Sequence, residues 1–469
     1  MALRLYDTLS RQVRDFEPRV AGKASLYLCG LTVQSGPHIG HLRSGINYDV
    51  LRRWLVHLGY EVTFVRNITD IDDKILAKSL EQNRPFWSIA YENEVKLGAA
   101  YRALNVQSPT YEPRATQCIP EMHELIGELI ERGHAYVAND DSGDVYFSVL
   151  SYPDYGQLTN RRVEDMLAAP DGPERAKRDP RDFALWKGVK PSEPQDAYWP
   201  SPWGRGRPGW HIECSAMTYR YLGPAFDIHG GGTDIAFPHH ENELTQSRSV
   251  GHPFAGFWVH NGMLDLAGEK MAKSVGNVID VGSVVARGIR PVELRYYMIS
   301  AHYRGRIEFS WGALEEAALG YQRLEGFVQR ATELTGHSDP TIICADFEEA
   351  MNDDLNTSAA VAAIHEVVRE GNTALASGDM KAAHGALGSV RAMLGLLGVD
   401  PFDPAFAATE DKGLYETVDA LVALALQQRT AARERKDWAA ADAVRDQLKQ
   451  AGVAIEDTPH GPRWTRHAG

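Results

Sequence analysis

The chain has 469 residues, 43% hydrophobic and 24% charged, which suits roughly three globular domains and excludes both a single small domain and global disorder. Its formal net charge of −14 argues against a uniformly basic surface but leaves room for a local basic face, because net charge governs bulk association rather than single sites. No apolar run approaches the ~18 residues of a membrane span, and the arginine-bearing stretch 1–20 lacks the apolar centre of a signal peptide, so no membrane attachment and a cytoplasmic location are expected.

Residues 24–29 (ASLYLC) predict a short buried strand, followed by a Gly/Pro-containing loop that ends at His41. Residues 42–58 carry Ile46, Val50, Leu51, Trp54 and Leu58 on one helical face; residues 61–65 predict a second strand and 70–82 a helix. Strand, loop, helix, strand is the pattern of a doubly wound parallel sheet, the Rossmann-type α/β class, whose ligands bind beyond the carboxyl ends of the strands. That places Cys29 and the loop after it where chemistry is expected.

A helix over 116–132 and a hairpin-like region over 135–149 follow. Residues 151–209 are rich in Pro, Asp, Arg and Gly with little periodicity, as expected of an insertion between two sheet halves. Residues 225–228 predict a returning core strand that runs into Gly230 to Gly232, with a helix over 238–250. Beyond Pro291 the chain reads as helices over 293–301, 311–334, 346–376, 381–397, 414–436 and 438–451, with a linker around Pro401 and Pro404 and a strand-like piece at 453–455. The expected organisation is residues 1–112 and 206–309 as the halves of the catalytic domain, 113–205 as an inserted connective domain, 310–400 as a helical bundle and 401–469 as a small terminal domain.

Charge is segregated along the chain. Five arginines stand between Arg287 and Arg306 against Glu293 alone, which suggests an anionic ligand, whereas the acidic stretch 308–354 reads as a solvated helical face.

Three groups of residues carry possible chemistry. His38-Ile39-Gly40-His41 stands at the start of a helix, where two imidazoles and free N–H groups can face an anion and Gly40 allows close approach; a pair of surface histidines is the plain alternative. Lys270-Met271-Ala272-Lys273-Ser274, between Gly268 and Gly276, can neutralise a polyphosphate, or be an ordinary basic turn. Cys29, Cys214, His239 and Glu243 could form a tetrahedral zinc shell, with His239 and Glu243 four apart on one helical face, but without a CxxC spacing the thiols could equally be buried free cysteines. An HExxH zinc motif is excluded because Leu244 stands in place of its second histidine, and the GxGxxG string at 204–209 lacks a preceding strand and reads as a flexible turn. Cys118 and Cys344 are expected as core thiols on apolar helical faces, and a disulfide framework is not expected.

The unchanged HIGH tetrapeptide at 38–41 and the KMAKS string at 270–274 resemble the class I aminoacyl-tRNA synthetases. The strings RNITDIDDK (66–74), GWHIEC (209–214), HGGGTDIAFPHHENE (229–243) and the segment 442–464 resemble the cysteinyl-tRNA synthetase family, essentially from end to end. The resemblance implies a catalytic domain, a helical bundle and an anticodon-binding end, and an ATP-dependent joining of L-cysteine to the 3′ end of tRNA(Cys). It assigns His38, Gly40, His41, Lys270 and Lys273 to ATP, with His38, His41 and both lysines as catalytic groups, and Mg2+ accompanying the nucleotide. It also assigns Cys29, Cys214, His239 and Glu243 to one Zn2+ that binds the substrate sulfur, Gly30, Thr69 and Trp210 to the cysteine pocket, and Asp234 to the adenylate.

A monomer is the family's expectation, with Arg463, Trp464 and Arg466 near the anticodon. Ala272 replaces the first serine of the family's KMSKS loop, and Thr32 to Pro37 departs from the usual stretch before HIGH. Two rivals are a ligase passing cysteine to an amino-sugar, which would lack the anticodon-binding end, and a catalytically silent RNA-binding paralogue, against which the intact HIGH string and both lysines count.

Overall fold

The computed structural model describes residues 2–166, 176–266, 269–270, 278–340, 342–407, 412–458 and 461–466. Its strands are β1 (Arg4–Asp7), β2 (Gln12–Asp15), β3 (Lys23–Leu28), β4 (Glu61–Arg66), β5 (Ala135–Val137), β6 (Val145–Phe147), β7 (Phe183–Gly188), β8 (Gly206–Pro208), β9 (Ala225–Gly232), β10 (Phe254–Asn261), β11 (Leu264–Leu266), β12 (Glu269–Lys270), β13 (Ile307–Phe309), β14 (Val453–Thr458) and β15 (Gly461–Arg466). Its helices are α1 (Ile39–His57), α2 (Asp73–Gln82), α3 (Phe86–Ala103), α4 (Ile119–Glu131), α5 (Trp210–Leu222), α6 (Glu241–Ser249), α7 (Val281–Val285), α8 (Pro291–Ile299), α9 (Trp311–Thr335), α10 (Ala345–Asn352), α11 (Thr357–Ser377), α12 (Met380–Leu396), α13 (Pro404–Ala407), α14 (Lys412–Glu434) and α15 (Trp438–Gln450).

The central sheet runs in the order β10-β9-β3-β4 with every neighbouring pair parallel. The chain leaves β3 toward β4 on one side and β9 toward β10 on the other, so the crevice between the ends of β3 and β9 is the switch point of the fold. Strands β5 to β8 form a separate antiparallel sheet of four, inserted between β4 and β9. The GxGxxG string is therefore not a flexible turn: residues 206–208 are a buried strand paired with β7.

Three arginines of the cluster, Arg295, Arg304 and Arg306, are structural. Arg295 is fully buried, donates to Asp49 Oδ2 at 2.6 Å and to the carbonyls of Leu104, Asn105 and Leu397, and Arg53 binds the same carboxylate at 2.8 Å. Arg304 pairs with Asp354 and Arg306 with Asp265, each at 2.6 Å. These charges tie α1, α8 and the bundle together, so for Arg295, Arg304 and Arg306 the expected anionic ligand is corrected to internal carboxylates and carbonyls, while Arg287 and Arg290 are exposed.

The single helix expected over 346–376 is broken. Asp354 and Leu355 take left-handed φ values of 57° and 51°, and the Asp354 carboxylate accepts from Tyr6 N, Tyr303 Oη and Arg304 Nε, each at 2.7 Å. Tertiary bonding here overrides a local helical pattern. Asn356 then caps α11 by accepting from Ala359 N.

Residues 1–281 and 291–400 form one compact unit, and 282–290 with 401–469 a second. The second contains the α14 and α15 pair and the β14–β15 ribbon around Val422, Leu426 and Val453. Cys118 and Cys344 are not on helical faces: they are the residues before α4 and α10, the first buried and the second half-buried.

Candidate active site

Four elements converge on the switch point. Cys29 follows β3, with its N–H bonded to Gly230 O on β9 at 3.0 Å. Cys214 is on the buried first turns of α5, His239 stands in the turn between β9 and α6, and Glu243 lies in α6. Their ligand atoms all lie within 4.8 Å of one another. Cys29 Sγ is 3.6 Å from Cys214 Sγ and 3.3 Å from Glu243 Oε1, and His239 Nε2 is 3.0 Å from Glu243 Oε1.

A tetrahedral zinc ion with Zn–S of ~2.3 Å and Zn–N or Zn–O of ~2.0–2.1 Å sets its donors about 3.3 to 3.8 Å apart. The spacings here of 3.0 to 3.6 Å lie slightly inside that range, so small outward shifts of the side chains would admit such an ion. Two thiols, an imidazole and a carboxylate are also the donor types zinc takes. A second set, Cys29, His229, His240 and Glu243, is equally compact, but His229 Nε2 is 2.8 Å from Glu243 Oε2 and His240 Nδ1 is 2.8 Å from His260 Nε2, so these imidazoles are bonded around the cluster.

Electrostatics prepare the cluster for a cation. Burial pushes both thiols upward in pKa, with Cys214 and Glu243 adding to the effect on Cys29, so both are neutral until a divalent ion reverses the balance. Burial holds His239 down to about 3, hence neutral with a lone pair to give. Glu243 stays below the ordinary carboxylate range despite its burial, held there by His229, whose Nε2 stands 2.8 Å from Oε2. His211 Nδ1 stands 3.0 Å from His239 Nδ1; in the tautomer that frees Nε2, His239 donates there, which fixes its ring.

The pocket residues adjoin this cluster. The Trp210 ring stacks on His239 at 4.2 Å. Gly30 N donates to Asn67 Oδ1 at 2.8 Å, and a Cβ on Gly30 would strike the Asn67 carbonyl, so only glycine fits. Asn67 Nδ2 donates to Thr69 Oγ1 at 3.2 Å, which donates to Glu213 Oε2 at 3.1 Å. Asp234 lies apart from the metal set, in an exposed turn after β9.

At the other end, His38 caps α1 and its ring stacks on His41 with centroids 3.5 Å apart. His38 N donates to His41 Nδ1 at 3.4 Å, and a Cβ on Gly40 would lie 3.1 Å from the His38 ring, so the glycine lets the pair stack. Lys270 is placed by its backbone on β12, opposite Asp265 of β11. Lys273 lies outside the described residues.

Sequence reasoning assigned no role to Asn67, His211, Glu213 or His229, although each lies in a string that carried the resemblance or beside one of its assigned residues. Trp464 packs against the core of Val422, Leu426 and Val453 and donates to Asp419 Oδ1 at 2.7 Å. Trp438 of that unit is an outward aromatic, 59% exposed, just after exposed Arg433, Arg435 and Lys436.

Comparison with known proteins gives the family of the chain. The model of the class I (C) tRNA synthetase catalytic domain matches residues 15–319, the DALR domain model matches 346–399, and the cysteinyl-tRNA ligase anticodon-binding domain model matches 411–464. Cysteine–tRNA ligases of a Nocardioides species and of Streptomyces griseus are 59% and 56% identical, over 99% of this chain and 100% and 99% of theirs. Mycobacterium tuberculosis methionyl-tRNA synthetase, in complex with methionyl-adenylate, shares the fold with a TM-score of 0.58 at 16% identity, over 81% of this chain and 92% of that one. Fold and crevice thus define a class I aminoacyl-tRNA synthetase. Within that class, the chain belongs to the cysteine–tRNA ligase family.

Proposed function

We propose that the protein activates L-cysteine with ATP and transfers the cysteinyl group to the 3′ end of tRNA(Cys), in the cytoplasm and as a monomer. The observation that carries this reading is the compact set of Cys29, Cys214, His239 and Glu243 at the switch point. Zinc held by these four would supply a coordination position that accepts a thiol far better than a hydroxyl, separating cysteine from serine without an editing site.

The chain's own groups do the rest. Trp210 and Thr69 flank the set and hold the amino-acid backbone, with Gly30 in the same lining, where its missing Cβ makes room for the Asn67 carbonyl. The cysteine carboxylate attacks the α-phosphate, the bond to the bridging oxygen breaks, and pyrophosphate leaves with the electron pair; no side-chain nucleophile takes part. His38 and His41 meet the triphosphate at the N-terminus of α1, where free N–H groups favour an anion. Lys270 and Lys273 neutralise the departing pyrophosphate, Mg2+ accompanies the nucleotide, and Asp234 orients the adenylate. Catalysis is then positioning and charge stabilisation. The terminal ribose hydroxyl of the tRNA next attacks the adenylate carbonyl and AMP leaves.

Residues 1–112 and 206–309 make the catalytic halves in this reading, 113–205 the connective insertion, 310–400 the bundle and 401–469 the anticodon end. At that end exposed Trp438 offers a face for a base and Arg433, Arg435 and Lys436 meet phosphates. The match of the anticodon-binding model over 411–464 supports tRNA rather than an amino-sugar as acceptor.

Zinc-loaded protein is expected to catalyse cysteine-dependent ATP/pyrophosphate exchange and to charge tRNA(Cys). Exchange without charging, but with cysteine passed to an amino-sugar, would move the function to the rival ligase; no exchange at all would sink the enzymatic reading.

A further inference from the structure

Arg43 follows His41 by two residues on α1 and is fully buried. Among the described residues its guanidinium meets no carboxylate at hydrogen-bonding distance. Backbone oxygens take that place at both Nη groups: Nη1 donates to Gly262 O at 2.7 Å and Met263 O at 2.8 Å, and Nη2 to Gly305 O at 2.6 Å and His302 O at 3.2 Å, while Nε is buried without a partner among the described residues. Burying a guanidinium costs several kcal/mol unless its donors are met, so this constellation fixes two chain segments against the first turns of α1. Burial draws the pKa of Arg43 down to about 10, which leaves it charged at neutral pH.

Those segments are the ones that lead into β11 and β13. They are zipped together by Gly262 N to Tyr303 O at 2.8 Å and Ile307 N to Met263 O at 2.9 Å, and continue into the parallel pairing of Leu264 with Ile307. Strand β11 then pairs with β12, which sets Asp265 opposite Lys270. A continuous run of bonds therefore joins His41, through Arg43 and residues 262–266, to the backbone of Lys270. On the histidine side the two parts nearly touch, since a Cβ on Gly40 would stand 3.6 Å from Leu264 O.

We infer that Arg43 is a positioning residue for ATP, a brace that holds the His38 and His41 pair in register with the strand carrying Lys270. The inference rests on the reading above that these histidines and lysines handle the nucleotide. The cysteine end is held by other elements, so the brace acts on one substrate and not the other.

The test is pyrophosphate exchange by the full-length, zinc-loaded chain. Lysine keeps the charge but offers no planar fork to four carbonyls. Arg43→Lys is expected to raise the KM for ATP about 10-fold and lower kcat about 10-fold, in line with the sensitivity of such reactions to small misplacements. The KM for cysteine should stay within about 2-fold and zinc content should be unchanged, because neither depends on the brace.

Gly262→Ala attacks the same link from the other side, because its Cβ would strike the carbonyls of Gly305 and Arg304. It should show the same split, which keeps the inference testable if Arg43→Lys does not fold. The double variant should lose no more than the worse single one, as expected for two members of one unit. An unchanged KM for ATP, equal rises for both substrates, or additive losses would overturn the inference. His41→Ala serves as the reference: if it leaves exchange intact, the ATP reading itself fails; if it abolishes exchange while Arg43→Lys behaves as wild type, only the brace fails.

Discussion

The two ends of the crevice are built in opposite ways. The sulfur end is an enclosed set of side chains: Cys214, His239 and Glu243 are buried, Cys29 is half-buried, and a ring of His211, His229 and Asn67 holds them. The end proposed for the nucleotide is half-open and rests on backbone: the stacked His38 and His41 rings, a helix terminus, and a strand pair anchored through carbonyls to Arg43. The contrast follows the chemistry. On the proposed reading, telling sulfur from oxygen needs donors fixed in place around a metal, whereas stabilising charge along a triphosphate needs N–H groups and cations set along its length.

The comparison breaks most sharply at Cys214. Cys214→Ser should remove zinc and cysteine binding together and lower exchange on the order of 10³-fold, the scale of losing a charge-stabilising group, while calorimetry still detects ATP binding. Retention of full metal content would show that the four residues are not the ligand set. A smaller effect is expected from His229→Gln, which loses the 2.8 Å bond to Glu243 Oε2: zinc affinity, read by chelator competition, should weaken by about 10- to 100-fold, with the KM for ATP unmoved. Equal disturbance of both ends would erase the division.

The gentlest probe is pH. Burial holds His211, His239 and His260 down to about 3, with His229 adding to the effect on His260. An unfolded histidine titrates near 6.5, so between about 6.5 and 3 the unfolded chain binds protons that the native chain refuses. Stability therefore falls with falling pH, by up to about 1.4 kcal/mol per pH unit for each such imidazole. Melting midpoints of wild type and His260→Gln, compared from pH 7 to pH 5, should converge as the pH drops; parallel curves would contradict a neutral His260.

What could be read in advance tracks local pattern. Strand β3, helix α1 and strand β4 were legible because period and punctuation agree there. Helix α3 was not, although Phe86, Ile89, Ala90, Asn93, Leu97 and Tyr101 form a buried face, because Trp87, Tyr91 and Val95 stand exposed beside it and blur the contrast. Strands β7 and β8 are short and lie in a Gly/Pro-rich tract, and their pairing is a long-range matter. The zinc shell stayed open between ligands and buried thiols because its first two members are 185 residues apart. The Asp49 and Arg295 bond, across 246 residues, left no local signal at all, and so its arginine invited a ligand it does not need.

Strand β3 pairs with β4 nearby in sequence but also with β9, where Leu26 meets Ile228 some 202 residues later. At translation rates of ~5–20 residues per second, that partner emerges about 10 to 40 s after β3. Throughout that interval the nascent chain carries an unpaired strand edge and a solitary Cys29. Completion of the sheet and completion of the ligand set are thus one late event in biosynthesis, and a chain stalled before α6 would have neither.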